Sequence, residues 1–259
     1  MASSASKDKN PAAGSQTAVF CQDANRRPCV TICAPADSCK CDCEEVRRVL
    51  EEEIAAINLG LTVGTMKVGC NGDCPYGALV GFPQRGFFYE QVDGEKDKEV
   101  VSGTLTQGHI LFDLLHIDPL KATSGRILYD RSGFIATIDD SFCMVKVAQY
   151  FLQFEEGVSC GKCVPCRVGS LELREILERI IGGKGEPEDL QRLDLVCRAM
   201  QDAPYCDFAR TTSDPVVTIL KHFRSEFEKH VDQKVCPAGV CEGLAKEVEE
   251  EETKKESEE

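Results

Sequence analysis

The sequence has no apolar run approaching the ~18 residues that a membrane-spanning helix needs. A soluble protein without membrane insertion is therefore expected. Basic residues are in short supply: 30 Lys and Arg stand against 44 Asp and Glu, for a net charge of −14. They form no stripe that could follow a phosphate backbone, which excludes nucleic acid as a partner. The first seventeen residues, MASSASKDKNPAAGSQT, contain neither the apolar core of a secretory signal nor the arginines of a transit peptide. A cytoplasmic location follows. No internal repeat is present. What the chain does have is cysteine. There are sixteen in 259 residues, which is below the ~8–10% typical of a small disulfide scaffold and in a chain too long to need such staples. In a reducing compartment this points to metal.

Residues 1–17 are too polar to offset the entropy of ordering and are read as a disordered segment. Residues 242–259 hold nine acids and three bases and are read as a solvated acidic tail. Between them the pattern changes once. From 18 to 93 strands and a helix mix. Residues 18–20 and 30–33 read as strand, and Glu44 to Leu59 as an amphipathic helix with Val46, Val49, Leu50, Ile54 and Ile57 on one side, closed by Gly60. Leu61 to Val68 reads as a strand, and 78–82 with 86–92 as a hairpin. Residues 94–142 read as a linker with short strands at 126–129 and 134–138. From 143 to 232 the spacing is helical: 144–154, 168–181 ending at Gly182-Gly183, 186–200 opening on Pro187, and Asp214-Pro215 onward to about His230. Four such helices predict a small bundle. The fold class expected is α+β.

Cys160-Gly-Lys-Cys163-Val-Pro-Cys166 offers three thiolates at the spacing that wraps one corner of an iron–sulfur cubane. The helix that follows points its positive end at an anionic cluster. A [4Fe–4S] cluster needs a fourth ligand. Cys206, in the turn after the third helix, suits this role. Cys197 is its rival but sits among apolar residues, where a buried thiol is the plainer reading. A structural zinc at the triplet, or three free thiols, are the plain alternatives. Cys70-Asn-Gly-Asp-Cys74 offers two thiolates for one iron of a [2Fe–2S] cluster. Cys33 would supply a third. One of Cys39, Cys41 and Cys43 would supply the fourth; spacing to the helix favours Cys39, and the choice stays open. Cys21 and Cys29 read as plain thiols. A dithiol of the thioredoxin type is disfavoured, because the pair is C-x3-C. Cys236-Pro-Ala-Gly-Val-Cys241, with His230 and Cys143, forms a possible zinc set; free thiols or part of an iron–sulfur site are its alternatives. His109, His116 and His222 read as ordinary surface or core residues.

The run Phe142-Cys-Met-Val, Ser159-Cys160 to Arg167 and Cys206 resembles the C-terminal iron–sulfur domain of the flavoprotein subunit of respiratory complex I, a subunit also used by NAD-linked hydrogenases and formate dehydrogenases. The resemblance covers about 110–231. It implies [4Fe–4S] on Cys160, Cys163, Cys166 and Cys206. The segment 30–92, with Val68-Gly-Cys70-Asn-Gly-Asp-Cys74-Pro-Tyr-Gly, resembles the thioredoxin-like [2Fe–2S] ferredoxins. It implies an N-terminal domain of that fold ahead of a C-terminal four-helix-bundle [4Fe–4S] domain. The ending at Cys236–Cys241 resembles the hydrogenase subunits too. One departure matters. In the family a flavin- and NADH-binding domain with a glycine-rich phosphate loop separates these two regions. Here about fifty residues do, without such a loop.

The expectation is therefore an electron-transfer subunit with one [2Fe–2S] and one [4Fe–4S] cluster and a possible zinc, with no FMN or NAD of its own. It would pass single electrons between a flavin-bearing partner and other redox subunits of a hetero-oligomeric complex. Three alternatives stand beside it: a dehydrogenase active in itself, an adaptor whose metals only hold the fold, and a thiol–disulfide oxidoreductase.

Overall fold

The computed structural model describes residues 21, 28–34, 39–72, 74–116, 125–202, 204 and 206–246. The expected disordered start, the strand at 18–20 and the acidic tail beyond 246 lie outside them.

The fold is mixed α and β. In its first part, β1 (Val30–Cys33) leads to α1 (Cys43–Ala56) and returns through β2 (Val63–Met66), which pairs parallel with β1. The hairpin of β4 (Ala78–Phe82) and β5 (Phe87–Val92) adds on the other side, antiparallel, giving the order β2-β1-β4-β5. α1 forms because Cys43, Val46, Leu50 and Ile54 recur at helical spacing and are buried against this sheet. Glu44 and Glu45 in its first turn complement the helix dipole. Its end differs from expectation. The helix stops at Ala56, and Asn58 rather than Gly60 takes the capping left-handed conformation at φ 53°. Leu59 N–H donates to the Ile54 carbonyl and Asn58 N–H to that of Ala55. This is a Schellman cap whose apolar contact joins Leu59 to Ile54.

The single strand expected at 61–68 is two. The chain crosses at Lys67 from β2 to β3 (Val68–Gly69), which pairs with a second sheet of order β3-β7-β6, built on β6 (Ile127–Asp130) and β7 (Phe134–Thr137). Strand alternation then divides this hairpin between two cores. Leu128, Phe134, Ala136 and Ile138 belong to the core under the first sheet. Ile127, Tyr129 and Ile135 belong to the core of the helices. The segment 94–142 also holds α2 (Lys96–Glu99), which runs on into a π-helical stretch, Val100–Thr106. Val100, Val101 and Leu105 of that stretch close the first core.

Asp97 on α2 is fully buried, and neither of its carboxylate oxygens has a hydrogen-bond partner among the described residues. Burial, with the charges of Asp93, Glu45 and Glu53, pushes its pKa up to about 7. In the unfolded chain an aspartate titrates near ~4. The folded chain thus keeps a proton that the unfolded chain releases, and stability falls as pH rises through that window. Asp97→Asn is expected to be more stable than the parent at pH 8 by roughly 1–3 kcal/mol. The gap should shrink towards pH 5. Urea titrations at the two pH values check this; an unchanged gap would mean that the carboxyl is hydrated.

The helices follow. α3 (Met144–Val158) packs on α4 (Val164–Ile181) and on α7 (Asp214–Glu228), α4 packs on α5 (Pro187–Asp202), and α5 packs on α7. Between α5 and α7 lies the short α6 (Asp207–Thr211). Pro187 and Pro215 start their helices, as the sequence suggested. α7 continues as a π-helical turn, Lys229–Gln233, which closes at Lys234 with φ 56°. A short parallel pair, β8 (Val235–Cys236) and β9 (Ala245–Lys246), ends the described chain.

The two parts meet closely. Gly69 faces α7, where a Cβ would lie 2.7 Å from the His222 side chain. Lys67 Nζ pairs with Glu226 at 2.5 Å and donates to the Phe142 carbonyl at 2.7 Å, and Glu226 Oε2 accepts from Met144 N–H. No helix among the described residues is long and apolar enough to cross a membrane.

Candidate metal centres

Cysteines gather in three places. The first is the loop between α3 and α4. Cys163 is the N-cap of α4 and Cys166 lies in its first turn, next to Pro165. Cys160 sits in the exposed part of the loop, and Gly161 turns the chain at φ 63°. Ser159 Oγ accepts from Gly161 N–H and lies 3.0 Å from Cys166 Sγ. Cys206 is the N-cap of α6, and its charge reaches Cys166. Burial pushes the Cys166 thiol up, and Cys163, Cys160 and Cys206 add to this through their charge. The thiols predicted from sequence are thus electrostatic neighbours. Cys197 lies instead inside α5, where burial pushes its thiol up to about 12 and the charges that reach it are Asp194 and Asp214. The donor set, four thiols of which Cys160 and Cys206 are exposed, with the N-terminus of α4 behind Cys163 and Cys166, suits an anionic iron–sulfur cluster.

The second group lies between β1, the start of α1 and the loop after β3. It holds six thiols. Cys33 ends β1, and its Sγ is 2.9 Å from that of Cys43, the first residue of α1. That hydrogen bond holds the Cys33 thiol below the usual cysteine range and the Cys43 thiol above it. Burial pushes Cys41 up to about 12, and the charges of Cys39, Cys74 and Cys33 work in the same direction. Burial likewise pushes Cys74 up to about 11, with Cys70 and Cys33 adding to it. The four predicted positions, Cys33, Cys39, Cys70 and Cys74, therefore share one corner of the fold with Cys41 and Cys43. Sequence spacing favoured Cys39 over these two and left the choice open. The position of Cys43 at a helix start with an inward face was the signal that marks it.

The third group is Cys143, His230, Cys236 and Cys241. All four are buried, and their donor atoms lie within 4.8 Å of one another. Cys143 Sγ is 3.2 Å from His230 Nε2, Cys241 Sγ is 3.6 Å from it, and the two sulfurs are 3.7 Å apart. Cys143 caps α3, His230 comes from the π-helical turn after α7, and Cys236 and Cys241 flank a tight turn in which Gly239 N–H donates to the Cys236 carbonyl. His230 Nδ1 is 2.6 Å from the Glu226 carbonyl. That bond places the ring proton on Nδ1 and leaves the Nε2 lone pair facing the three sulfurs, as a metal-binding histidine requires. Three thiols and one imidazole in a closed, buried set suit a four-coordinate zinc. Glu226, absent from the sequence-level candidates, orients this site through its carbonyl and through the Lys67 ion pair.

The remaining predicted features divide. Cys21 and Cys29, read as free thiols, are joined as a disulfide with Cα atoms 5.6 Å apart. Pairing across eight residues is a contact that spacing alone did not identify. His116 is 2.8 Å from Glu90, and His222 packs on β3 with its Nε2 on the Gly133 carbonyl, both ordinary structural roles.

Residues 146–230 match the family described as the NADH-ubiquinone oxidoreductase-F iron-sulfur binding region. That span contains Cys160, Cys163, Cys166 and Cys206. The NADP-reducing hydrogenase subunit HndC of Solidesulfovibrio fructosivorans is 44% identical over 113 residues, which is 44% of this chain and 23% of that protein. An F-type NADH-quinone oxidoreductase component of Rhizobium meliloti is 34% identical over 148 residues, 56% of this chain and 34% of its own. The NADP(+)-dependent formate dehydrogenase subunit beta of Moorella thermoacetica is 31% identical over 107 residues, 41% of this chain and 15% of its own. The chain thus spans about a third or less of the length of these relatives. The resemblance read from Cys160–Arg167 and Cys206 agrees with these relatives.

Proposed function

We propose, on the premise that residues 146–230 belong to the iron–sulfur binding region of the NADH-ubiquinone oxidoreductase-F family, that this chain is an electron-transfer subunit of an NAD(P)H-linked oxidoreductase complex. The observation that supports the reading is that the charges of Cys160, Cys163 and Cys206 all reach the Cys166 thiol, with Cys160 and Cys206 exposed and Cys163 at the start of α4. A cluster held there is a one-electron carrier. The protein's part is to hold it. Cys160, Cys163, Cys166 and Cys206 supply the thiolates, Ser159 lies against the Cys166 sulfur, and the exposure of Cys160 and Cys206 keeps one side open to a redox partner.

Cys33, Cys39, Cys70 and Cys74 are proposed to hold a [2Fe–2S] cluster. The sheet order β2-β1-β4-β5, with one parallel pair and α1 on its face, supports a thioredoxin-like domain over 18–93. The cycle of contacts α3–α4–α5–α7 supports a four-helix bundle over 143–232. The segment 94–142 then joins the two, and 233–259 completes the third metal set and carries the acidic tail. Cys143, His230, Cys236 and Cys241 are proposed to hold zinc, which would pin the chain after α7 to the start of α3. The partners proposed are a flavin-bearing subunit and a further redox subunit, in the cytoplasm.

The test is metal analysis and spectroscopy of anaerobically prepared protein. About six irons per chain and two distinct reduced electron paramagnetic resonance (EPR) signals are expected. About two irons would remove the cluster of the helical part. One zinc should accompany them. His230→Ala should lose it and lower the melting temperature, because three buried thiols are left without their metal. An unchanged melting temperature with no zinc in the parent would reduce this set to free thiols.

A further inference from the structure

Six thiols gather where a [2Fe–2S] cluster needs four, and two of the six are in direct contact. Cys33 Sγ and Cys43 Sγ are 2.9 Å apart, while a disulfide needs ~2.05 Å, so less than about 1 Å of closure separates the two states. Both residues are buried, and both are fixed by regular structure: Cys33 by the pairing of β1 and Cys43 by the first turn of α1. With strand and helix held, the closure has to come from rotation of the two side chains. One member, Cys33, is a proposed cluster ligand, and the other, Cys43, is surplus to it.

We propose that Cys33 and Cys43 are a redox-exchangeable pair that closes to a disulfide when the cluster is absent, so that a peroxide can take Cys33 out of the cluster-binding set and a reductant can return it. The chemistry balances with hydrogen peroxide as the oxidant. The Cys33 sulfur attacks one peroxide oxygen, the O–O bond breaks, and one water leaves with the thiol hydrogen; Cys33 is now a sulfenic acid. The Cys43 sulfur displaces the hydroxyl group, the S–S bond forms, and a second water leaves with the second thiol hydrogen. Two thiols are oxidised by two electrons and one peroxide is reduced to two waters. A small oxidant is required because both sulfurs are buried. The consequence for loading rests on the [2Fe–2S] reading above; the disulfide itself does not.

The experiment uses the full chain, cluster-free and reduced, with the reductant removed. It is treated with one equivalent of hydrogen peroxide, alkylated and digested, and the disulfide-linked peptides are identified by mass. The pair Cys21–Cys29 is scored separately. A Cys33–Cys43 linkage is expected as the main new product. Assembly of the [2Fe–2S] EPR signal should then fall at least about tenfold and return after reduction by a phosphine, with the [4Fe–4S] signal unaffected. Cys43→Ser should build the [2Fe–2S] cluster when reduced and, after peroxide, should hold Cys33 as a sulfenic acid that dimedone traps and not as a disulfide; Cys43→Ala repeats the test without a hydroxyl group. Cys33 linked to another cysteine, or left free, would overturn the proposal. So would loss of the cluster in both reduced variants, which would make Cys43 a ligand. If the reduced parent builds no [2Fe–2S] cluster, the cluster reading fails, and the peptide map still decides the pair.

Discussion

Cys163→Ser is expected to abolish the [4Fe–4S] signal and leave the [2Fe–2S] signal in place, with iron falling from about six to about two per chain. The fold should survive, because Cys163 is the N-cap of α4 and serine is among the best residues at that position. Cys74→Ser should do the reverse and leave about four irons. The two sites are built from different elements: the loop between α3 and α4 with the start of α6 in one case, and β1, the start of α1 and the loop after β3 in the other. EPR spectra of the two variants, with iron analysis, check this. Loss of both signals from either substitution would mean that the clusters depend on one another through the β6–β7 hairpin, whose two faces serve the two cores.

The second large effect concerns electron entry. A nicotinamide delivers two electrons as a hydride, and each cluster accepts one, so a flavin has to divide them. The chain alone is therefore expected to reduce no artificial acceptor from NADH above background and to bind no stoichiometric FMN. Activity should appear when a flavin-bearing subunit is added. Purification of the native complex, with identification of the chains that accompany this one, supplies that subunit. Tight FMN in the single chain, or direct reduction of its clusters by NADH, would refute the carrier reading. The exposed Cys160 and Cys206, beside the exposed Val158 and Val164, mark the corner through which such exchange would pass.

Periodicity and spacing determined much of this protein on their own. Val46, Leu50 and Ile54 define the buried face of α1, Pro187 and Pro215 mark two helix starts, and Cys160, Cys163 and Cys166 set three thiols close together at the start of α4. These are local properties: helical spacing, capping and a short loop are complete within a few residues of chain. Only the tertiary structure decided which distant residues meet. It brought Cys206 within electrostatic reach of Cys166 and set Cys197 in the helical core, forty and thirty-one positions after Cys166, because α5 turns Cys197 inward. It broke the strand at Lys67, where side chains had to serve two sheets. It brought Cys43 onto Cys33 and set the Glu226 carbonyl behind His230. The π-helical stretches were hidden for the same reason. Their β-branched and polar residues carry no helical signal, and the two buried faces that hold them, one on each core, are supplied by parts of the chain far away in sequence.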